Sequence, residues 1–461
     1  MSYKYNREQD FDFNDEEKPN ERQMSAENYL KEYNIQEILT EMINYLLHKK
    51  SKSPIVAMIK YLGGLLSEKE REEYKLVIPD PQIDYHPLVE PPKYNDNCNS
   101  LLKEFLTDEI FGNLMTKTSK YGINIGNIIR INSVFPENNI GCMIGDADCL
   151  NKFSSLYQPI ICKAHNLNIN SLKEYTQNNF NMTNLEFKDI KAIDISQIEG
   201  IKKITFSISR NLSDFPFVCF LNIENRTEKI VKQLNEIEKV PIIQKFKKQE
   251  NPNRIDLIKL LRKMNYDIDF WNSINPNDNL IRKQRIIYQS PDDRCIILIN
   301  FCDNFQLIGN IDIMKINEEQ SKNKEVKEDK EKKNNNYINE SLNDTFIKCF
   351  NEFNDLIRNV QYYYGFEFDH HFGYLTSNIA LLGRGFSITT EIDLDKLCGN
   401  DLDMNKLKEK LEKFDKYTDT YYINESDDNI LIFTSSPKIS KESIPEFFIE
   451  YFEKIQGLQN K

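Results

Sequence analysis

Hydrophobic side chains recur every three or four positions near the start of the chain, and this spacing predicts an amphipathic helix that ends near Lys49. Its apolar positions are Leu30, Ile35, Ile38, Leu39, Met42, Ile43, Leu46 and Leu47. Ser53 and Pro54 then supply a helix N-cap and a first-turn proline, so a second helix follows. Its apolar positions are Ile55, Met58, Ile59 and Leu62. Two helices this short cannot enclose a core, so residues 26–68 are predicted to form a hairpin that associates with another chain.

The stretches on either side of this hairpin lack a hydrophobic period. Residues 1–25 are polar and are predicted to be a disordered arm. Residues 69–97 include five of the 16 prolines, which predicts an extended, semi-rigid linker. The charged, low-complexity run at 318–340 is predicted to be a disordered insertion between structured elements.

After residue 98, some segments have apolar residues at the three- or four-residue spacing of helices, and others have the composition and two-residue alternation of strands. This pattern predicts helices at 101–114, 344–360 and 444–455 and strands at 204–206, 295–300, 385–392 and 430–433. Strands and helices in mixed order indicate an α+β fold. No apolar run is long enough to span a bilayer, so a protein of the cytoplasm is predicted.

Composition narrows the possible functions. The formal charge of −12 argues against a general nucleic-acid binder. Nine cysteines without a Cys-x-x-Cys pair indicate a reducing compartment and no thiolate zinc site. His370 and His371 would point to opposite faces of a strand, so no metal site is predicted. Only 13 residues are arginines, and none follows Arg384, which disfavours any function that needs clustered guanidinium groups.

Residues 29–39 and 52–62, with Ile-Gln-Glu-Ile-Leu at 35–39 and Pro54-Ile55 opening the second helix, resemble the RIIa-type dimerisation/docking domain of protein kinase A regulatory subunits and ciliary proteins. The resemblance implies that two hairpins form a four-helix bundle whose groove binds an amphipathic helix of an anchoring protein. It implies as partners a copy of this hairpin or a related one, an anchoring helix and other axonemal proteins, but neither nucleic acid nor membrane. The alternative is a hairpin that packs on its own globular domain.

Six segments of the remaining chain resemble the phosphagen (guanidino) kinases, the family of arginine and creatine kinases. They occur in the family's order at residues 100–107, 141–146, 153–161, 210–217, 298–303 and 372–376. The resemblance implies a small all-α domain at 98–185 and a larger domain at 186–461, built on an antiparallel sheet flanked by helices. The family transfers the γ-phosphoryl group of ATP to a guanidinium nitrogen, which requires converging arginines and a substrate-orienting carboxylate.

The positions that match the family's catalytic residues carry other side chains here. Phosphate-binding arginines correspond to Thr205, Ser207, Gln306 and Ser387, the substrate-loop glutamates to Phe301 and Cys302, the reactive cysteine to Asn378, and an adenine-contacting histidine to Glu391. The interpretation from sequence is therefore a pseudoenzyme with no catalytic residues and no cofactor. It would be a scaffold that docks partner helices in the ciliary axoneme, in a radial-spoke-like assembly.

Two alternatives keep a ligand in the kinase-like region. In one, the chain is an active or regulated ATP:guanidino phosphotransferase that uses Arg210, Arg384 and Lys416 in a rearranged site with ATP and Mg²⁺. In the other, a nucleotide is bound without catalysis. Arg210 and Arg384 are the candidate nucleotide-binding residues in both.

Overall fold

In the computed structural model the described residues are 29–31, 33–49, 54–65, 90–94, 98–134, 138–186, 189, 195–218, 224–250, 285–313, 342–399, 403–424, 429–439 and 443–459. The chain divides into two compact units, Met1–Pro79 and Asp80–Lys461. The predicted arm at 1–25, most of the predicted linker and the predicted insertion at 318–340 lie outside the described residues. Within the described residues, no helix is both long and apolar enough to cross a membrane.

The described part of the first unit includes the helices α1 (Ile35–Lys49) and α2 (Pro54–Leu65), which together are called the N-terminal helix pair. They contact each other through aromatic side chains, because the ring centroids of Tyr45 and Tyr61 lie 5.2 Å apart. The Tyr61 hydroxyl also donates to Glu41 Oε2 over 3.4 Å. The four-helix bundle implied by two such pairs stays a prediction.

Among the described residues, six short helices lie in the first part of the second unit. They are α3 (Leu101–Phe105), α4 (Asp108–Leu114), α5 (Ile125–Ile128), α6 (Arg130–Val134), α7 (Ala147–Lys152) and α8 (Ser154–Ala164). The single helix predicted at 101–114 is wrong, since the chain leaves the helix at Leu106 and restarts after Thr107. The Thr107 hydroxyl accepts a hydrogen bond from the Ile110 amide over 3.2 Å, which caps a new helix in place of continuing the first.

Further helices among the described residues accompany the sheet. They are α9 (Glu224–Leu234), α10 (Leu342–Tyr363), α11 (Leu394–Cys398), α12 (Met404–Leu411) and α13 (Ile444–Gln456). Short 3-10 helices occur at Ile169–Ser171, Gln177–Phe180, Ile195–Gln197, Asn235–Lys239, Ile243–Lys245 and Ile379–Leu381.

Among the described residues, eight strands form one sheet in the order β2-β3-β4-β5-β1-β8-β10-β9, and β6 pairs with β7 separately. Their bounds are β1 (Ile201–Arg210), β2 (Lys247–Glu250), β3 (Ile286–Gln289), β4 (Cys295–Ile299), β5 (Phe305–Asp312), β6 (Phe368–Asp369), β7 (Gly373–Tyr374), β8 (Phe386–Asp393), β9 (Asp419–Asn424) and β10 (Ile430–Ser435). Each neighbouring pair in the large sheet is antiparallel. The predicted combination of helices with an antiparallel sheet is confirmed.

Helices α10 and α13 cover one face of this sheet through an aromatic cluster. The ring of Phe206 on β1 lies at its centre, with centroid distances of 5.3 to 6.2 Å to five other rings. These rings belong to Phe346, Phe350, Phe353, Phe386 and Phe448. Because alternate residues of a strand point to opposite faces, the neighbours of Phe206 in β1 point to the other side.

His165, directly after α8, links the helical region to two loops of the sheet region. Its ring accepts a hydrogen bond at Nδ1 from the Ile439 amide over 3.2 Å. The proton must therefore sit on Nε2, which donates to the Ile379 carbonyl over 2.8 Å. Burial, with a smaller effect of Lys438, lowers the pKa of His165 to about 4, so the ring is neutral at pH 7.

We expect acid to weaken the fold through this histidine. Between pH 6.5 and about 4 the unfolded chain binds a proton at His165 that the folded chain does not, so stability falls as the pH falls through this window. At about 1.4 kcal/mol per pH unit, the loss by pH 4 is roughly 3 kcal/mol. Urea unfolding at a series of pH values measures it.

The control is His165→Gln, whose side-chain amide keeps a donor near the Nε2 position but does not titrate. Its free energy of unfolding should change less between pH 6.5 and 4 than that of the wild type. Identical pH profiles for the two proteins would contradict the assignment.

Candidate functional site

The sheet face opposite the aromatic cluster is lined by hydroxyl and amide side chains at its centre. We call this set the polar face; it comprises Thr205, Ser207, Ser209, Gln306, Asn310, Ser387, Thr389 and Thr434. Strand register places them side by side, with Ser207 opposite Ser387 and Thr205 between Asn310 and Thr389. Thr389 in turn lies opposite Thr434 on β10.

Hydrogen bonds join these side chains across the strands. The hydroxyl oxygens of Ser207 and Ser387 are 2.7 Å apart, and those of Thr389 and Thr434 are 2.9 Å apart. The Thr205 hydroxyl donates to Asn310 Oδ1 over 2.6 Å. Gln306 Nε2 donates to the Ser209 hydroxyl over 2.9 Å. The polar face is therefore a network of neutral groups spanning four strands.

Four of the sequence-derived candidate positions, Thr205, Ser207, Gln306 and Ser387, meet on this polar face. Glu391 lies farther along β8, where the register pairs it with Lys203. Hydroxyl and amide groups can hydrogen-bond a ligand. They do not supply the positive charge with which guanidinium groups stabilise a transferring phosphoryl group.

The other three candidates lie in loops. Phe301 and Cys302 follow β4; Phe301 is fully buried with the Arg285 guanidinium 5.2 Å from its ring centroid. The Cys302 amide donates to Gln306 Oε1 over 3.3 Å, which connects this loop to the polar face. Asn378 caps the 3-10 helix Ile379–Leu381, its Oδ1 accepting from the Ala380 amide over 3.0 Å.

Arg210, at the end of β1, is enclosed by protein groups. It is 3% exposed, and its guanidinium lies 4.0 Å from the centroid of the Tyr374 ring. Its Nη1 donates to the carbonyl of Ser209 over 2.8 Å and also to that of Arg384. Burial lowers the pKa of Arg210 to about 10, so it remains a cation at neutral pH. Through these contacts Arg210 has a structural role, because it joins β1 to the loop before β8.

Arg384 and Lys416, which one alternative brings into a single site, occupy different loops. Arg384 Nη2 donates to the Asn179 carbonyl over 3.4 Å, and its guanidinium lies 5.9 Å from the Phe180 ring centroid. Lys416 is exposed, with its Nζ 5.1 Å from the ring centroid of Tyr417. Nucleotide binding by Arg210 or Arg384 stays a prediction.

Asp303, in the loop between β4 and β5, forms a buried hydrogen-bonded cluster with Asn211 and Ser377, called the Asp303 cluster. Its Oδ1 accepts from Asn211 Nδ2 over 2.7 Å, from the Ser377 amide over 2.8 Å and from the Ser377 hydroxyl over 2.7 Å. Burial raises the pKa of Asp303, while these donors lower it. The Ser377 carbonyl also accepts from the Ile144 amide over 3.0 Å, which ties the cluster to the helical region.

A metal site does not emerge among the residues that the structure describes. They contain no group of three or more histidine, cysteine or acidic side chains that could hold a metal ion. His370 and His371 lie in the turn between β6 and β7, so the assumption that they belong to a strand is wrong. Asp369 Oδ1 accepts from the His371 and Phe372 amides over 2.8 and 3.0 Å, which stabilises a turn in place of a strand.

Sequence reasoning missed Ser209, Asn310, Thr389 and Thr434 as members of the polar face. Strand β5, which positions Asn310, is not among the predicted strands. The sequence does carry a signal for β5, because apolar and polar residues alternate along it. Phe305, Leu307 and Ile311 face the core, and Gln306 and Asn310 face the other way. Gly309 interrupts the alternation because a side chain there would lie 2.6 Å from the Phe353 ring.

Part of the chain is similar in sequence to known proteins. Residues 96–162 match the family model described as the ATP:guanido phosphotransferase N-terminal domain. An arginine kinase of Liolophura japonica is 28% identical over 145 residues, which is 32% of this chain and 40% of that protein. A probable arginine kinase of Caenorhabditis elegans is 33% identical over 69 residues, 15% of this chain and 17% of that protein. The chain thus matches less than half of the length of these relatives.

Solved structures resemble a larger part of the chain. The substrate-free duplicated taurocyamine kinase from Schistosoma mansoni aligns with a TM-score of 0.57 and 14% identity, covering 79% of this chain and 47% of that one. Lombricine kinase aligns with a TM-score of 0.52 and 12% identity, covering 80% of this chain and 93% of that one. At these identities the likeness concerns the fold.

The prediction that this chain is not an enzyme is contradicted by these comparisons, since the similar proteins named above are kinases. Substituted family positions were an insufficient basis for it. Most of the chain has the fold of the guanidino (phosphagen) kinases, and residues 96–162 match the N-terminal domain of that family.

Proposed function

We propose that the N-terminal helix pair is a docking module that dimerises with a second copy, and that the guanidino-kinase fold is the domain it carries. The observation behind this is the exposure of apolar side chains at helical spacing. Leu39, Ile43 and Leu47 recur every four residues along α1 and are 47%, 52% and 65% exposed. On α2, Ile59 and Leu62 are 54% and 41% exposed. Such a stripe is stabilised when another apolar surface covers it.

The other proposed docking positions fit this picture. Ile35, Ile38, Met42, Leu46 and Met58 are half-buried. Ile55 lies within α2, but its side chain is outside the described residues. In the proposed dimer, the two α1 stripes face each other, and the groove that they form accepts the apolar face of an amphipathic helix from an anchoring protein.

Placing charge in the stripe should separate the dimer. The double change Leu39→Glu and Ile43→Glu would bury four carboxylates between two copies, so we expect a dimer to become a monomer. Light scattering coupled to size-exclusion chromatography measures the molar mass. Because both positions are exposed, the fold of each chain should persist, as circular dichroism would verify.

The matched control is Asn44→Glu, an exposed polar position on the same helix, which should leave the dimer intact. A monomeric wild type at about 50 μM, well above the micromolar dissociation constants of ordinary interfaces, would refute the proposal.

The proposed location is the ciliary axoneme, in a radial-spoke-like assembly. The resemblance of the helix pair to docking domains of ciliary proteins supports it. A fluorescently tagged chain expressed in ciliated cells should remain with detergent-extracted axonemes, and the double variant should be lost from them.

A second candidate function is ATP-dependent phosphorylation of a guanidino compound, with ATP and Mg²⁺ as co-substrate. The fold shared with taurocyamine and lombricine kinases and the match of residues 96–162 favour it. A coupled assay of the full chain with arginine, taurocyamine and lombricine should show transfer below the ~1–100 per second of ordinary kinases. The reason is that hydroxyl and amide side chains occupy the positions where the family resemblance implies arginines.

Ser387→Ala, which breaks the 2.7 Å contact with Ser207 on the polar face, should reduce this transfer, whereas Tyr362→Ala at an 85% exposed position should not. Absence of transfer to all three acceptors, together with no rise in melting temperature with ATP and Mg²⁺, would eliminate this candidate.

A further inference from the structure

A pocket of about 310 Å³ lies on the side of the sheet opposite the polar face. It is bounded by β4, β5, α10 and the 3-10 helix Ile243–Lys245. Its walls are mainly apolar, formed by Phe206, Ile242, Phe246, Ile311, Phe353 and Leu356. The volume falls at the lower end of the range of about 300–1,000 Å³ typical of small-molecule sites. A whole helix, about 10 Å across, is too large for it.

Two cysteines complete the apolar lining. Burial raises the pKa of Cys295 to about 12 and also raises the pKa of Cys349. Both thiols are therefore neutral at pH 7; Cys295 adds a small apolar group to the lining, and Cys349 Sγ accepts a hydrogen bond from Arg294 Nη1 over 3.5 Å. The lining thus favours a hydrocarbon, because hydrocarbon surface leaves water here without stranding polar groups.

The two cationic side chains at the pocket mouth differ in whether they form ion pairs. Arg294 is held by two carboxylates, with its Nε 2.7 Å from Asp292 Oδ2 and its Nη1 3.3 Å from Glu352 Oε2. Lys245 is exposed, and it forms no ion pair with any residue that the structure describes. The four charges sum to zero, and Lys245 is the one among them that no described residue pairs with.

We propose that this pocket binds an apolar molecule that ends in a carboxylate, such as a medium-chain fatty acid. The hydrocarbon chain would lie against Phe353 and Leu356, and the carboxylate would pair with Lys245 at the mouth. Neither docking by the helix pair nor chemistry at the polar face uses this pocket. The site is therefore additional to both proposed functions.

Calorimetry with the full chain tests this proposal with octanoate and, as its uncharged equivalent, 1-octanol. Octanoate should bind saturably with a dissociation constant below about 1 mM. Lys245→Met should weaken octanoate about two- to five-fold, the usual effect of one exposed ion pair, and leave octanol binding unchanged. Cys349→Phe, which fills the pocket from α10, should abolish binding of both.

If Cys349→Phe lowers the melting temperature, Ile242→Asp offers a second test, since Ile242 lines the pocket and is 45% exposed. It should weaken both, and octanoate more than octanol, because the new carboxylate also repels the charge of octanoate. The pocket assignment is overturned if wild type does not bind octanoate at 1 mM or if both pocket variants bind it normally. The carboxylate assignment is overturned if Lys245→Met weakens octanoate and octanol equally.

Discussion

Replacing Phe206 by alanine should lower the free energy of unfolding by about 3–5 kcal/mol. The ring is 1% exposed and contacts five other aromatic rings, so its removal loses the burial of a large apolar side chain and leaves a cavity. The rings of α10 and α13 are joined through it to β1 and β8. Urea unfolding followed by circular dichroism measures the loss.

Tyr362→Ala, on the sheet-covering helix α10, provides the comparison. Tyr362 is 85% exposed, so its removal should change the free energy of unfolding by no more than about 0.5 kcal/mol. A loss below about 1 kcal/mol for Phe206→Ala would mean that the aromatic cluster does not form the centre of the core.

Replacing Asp303 by alanine should destabilise the fold by a similar amount, about 3–5 kcal/mol. The substitution removes the acceptor shared by the Asn211 side-chain amide, the Ser377 amide and the Ser377 hydroxyl, and all three donors belong to buried residues. Water cannot readily replace that acceptor in so enclosed a place. Urea unfolding at pH 7 gives the magnitude.

Asp303→Asn is the matched variant, because asparagine keeps an oxygen that can accept from Asn211 and Ser377. We expect it to lose less than half as much stability as Asp303→Ala. Equal losses for the two variants would show that the negative charge, and not the shared acceptor, holds the Asp303 cluster together.

The sequence predicted the long periodic helices well and the sheet only in part. Helix α10 and helix α13 have apolar residues at regular three- and four-residue steps, so their existence follows from local spacing. Strand β5 was missed because Gly309 stands at a core-facing position, where only the neighbouring Phe353 explains the absence of a side chain. That explanation requires knowledge of the tertiary packing.

The candidate site also combines features that the sequence indicates with contacts between residues that are far apart in the chain. Family resemblance identified Ser207 and Ser387 as matching positions, but no local pattern says that their hydroxyls meet across β1 and β8. Likewise, Arg210 could be singled out as a candidate ligand, whereas its stacking on Tyr374 depends on strand β7, more than 160 residues away. Side-chain roles set by such contacts follow from the tertiary structure.

The strand order also constrains how the chain is made. Central strand β1 pairs with β5 and β8, and the hydrogen-bonded residues Ser207 and Ser387 are 180 positions apart. At the usual rates of about 5–20 residues per second, a ribosome needs roughly 10–35 s to add the intervening chain. During that interval the apolar residues Ile204, Phe206 and Ile208 of β1 have no β8 to pair with. The centre of the sheet therefore closes late in synthesis, and contacts this distant in sequence make slow folding the expectation.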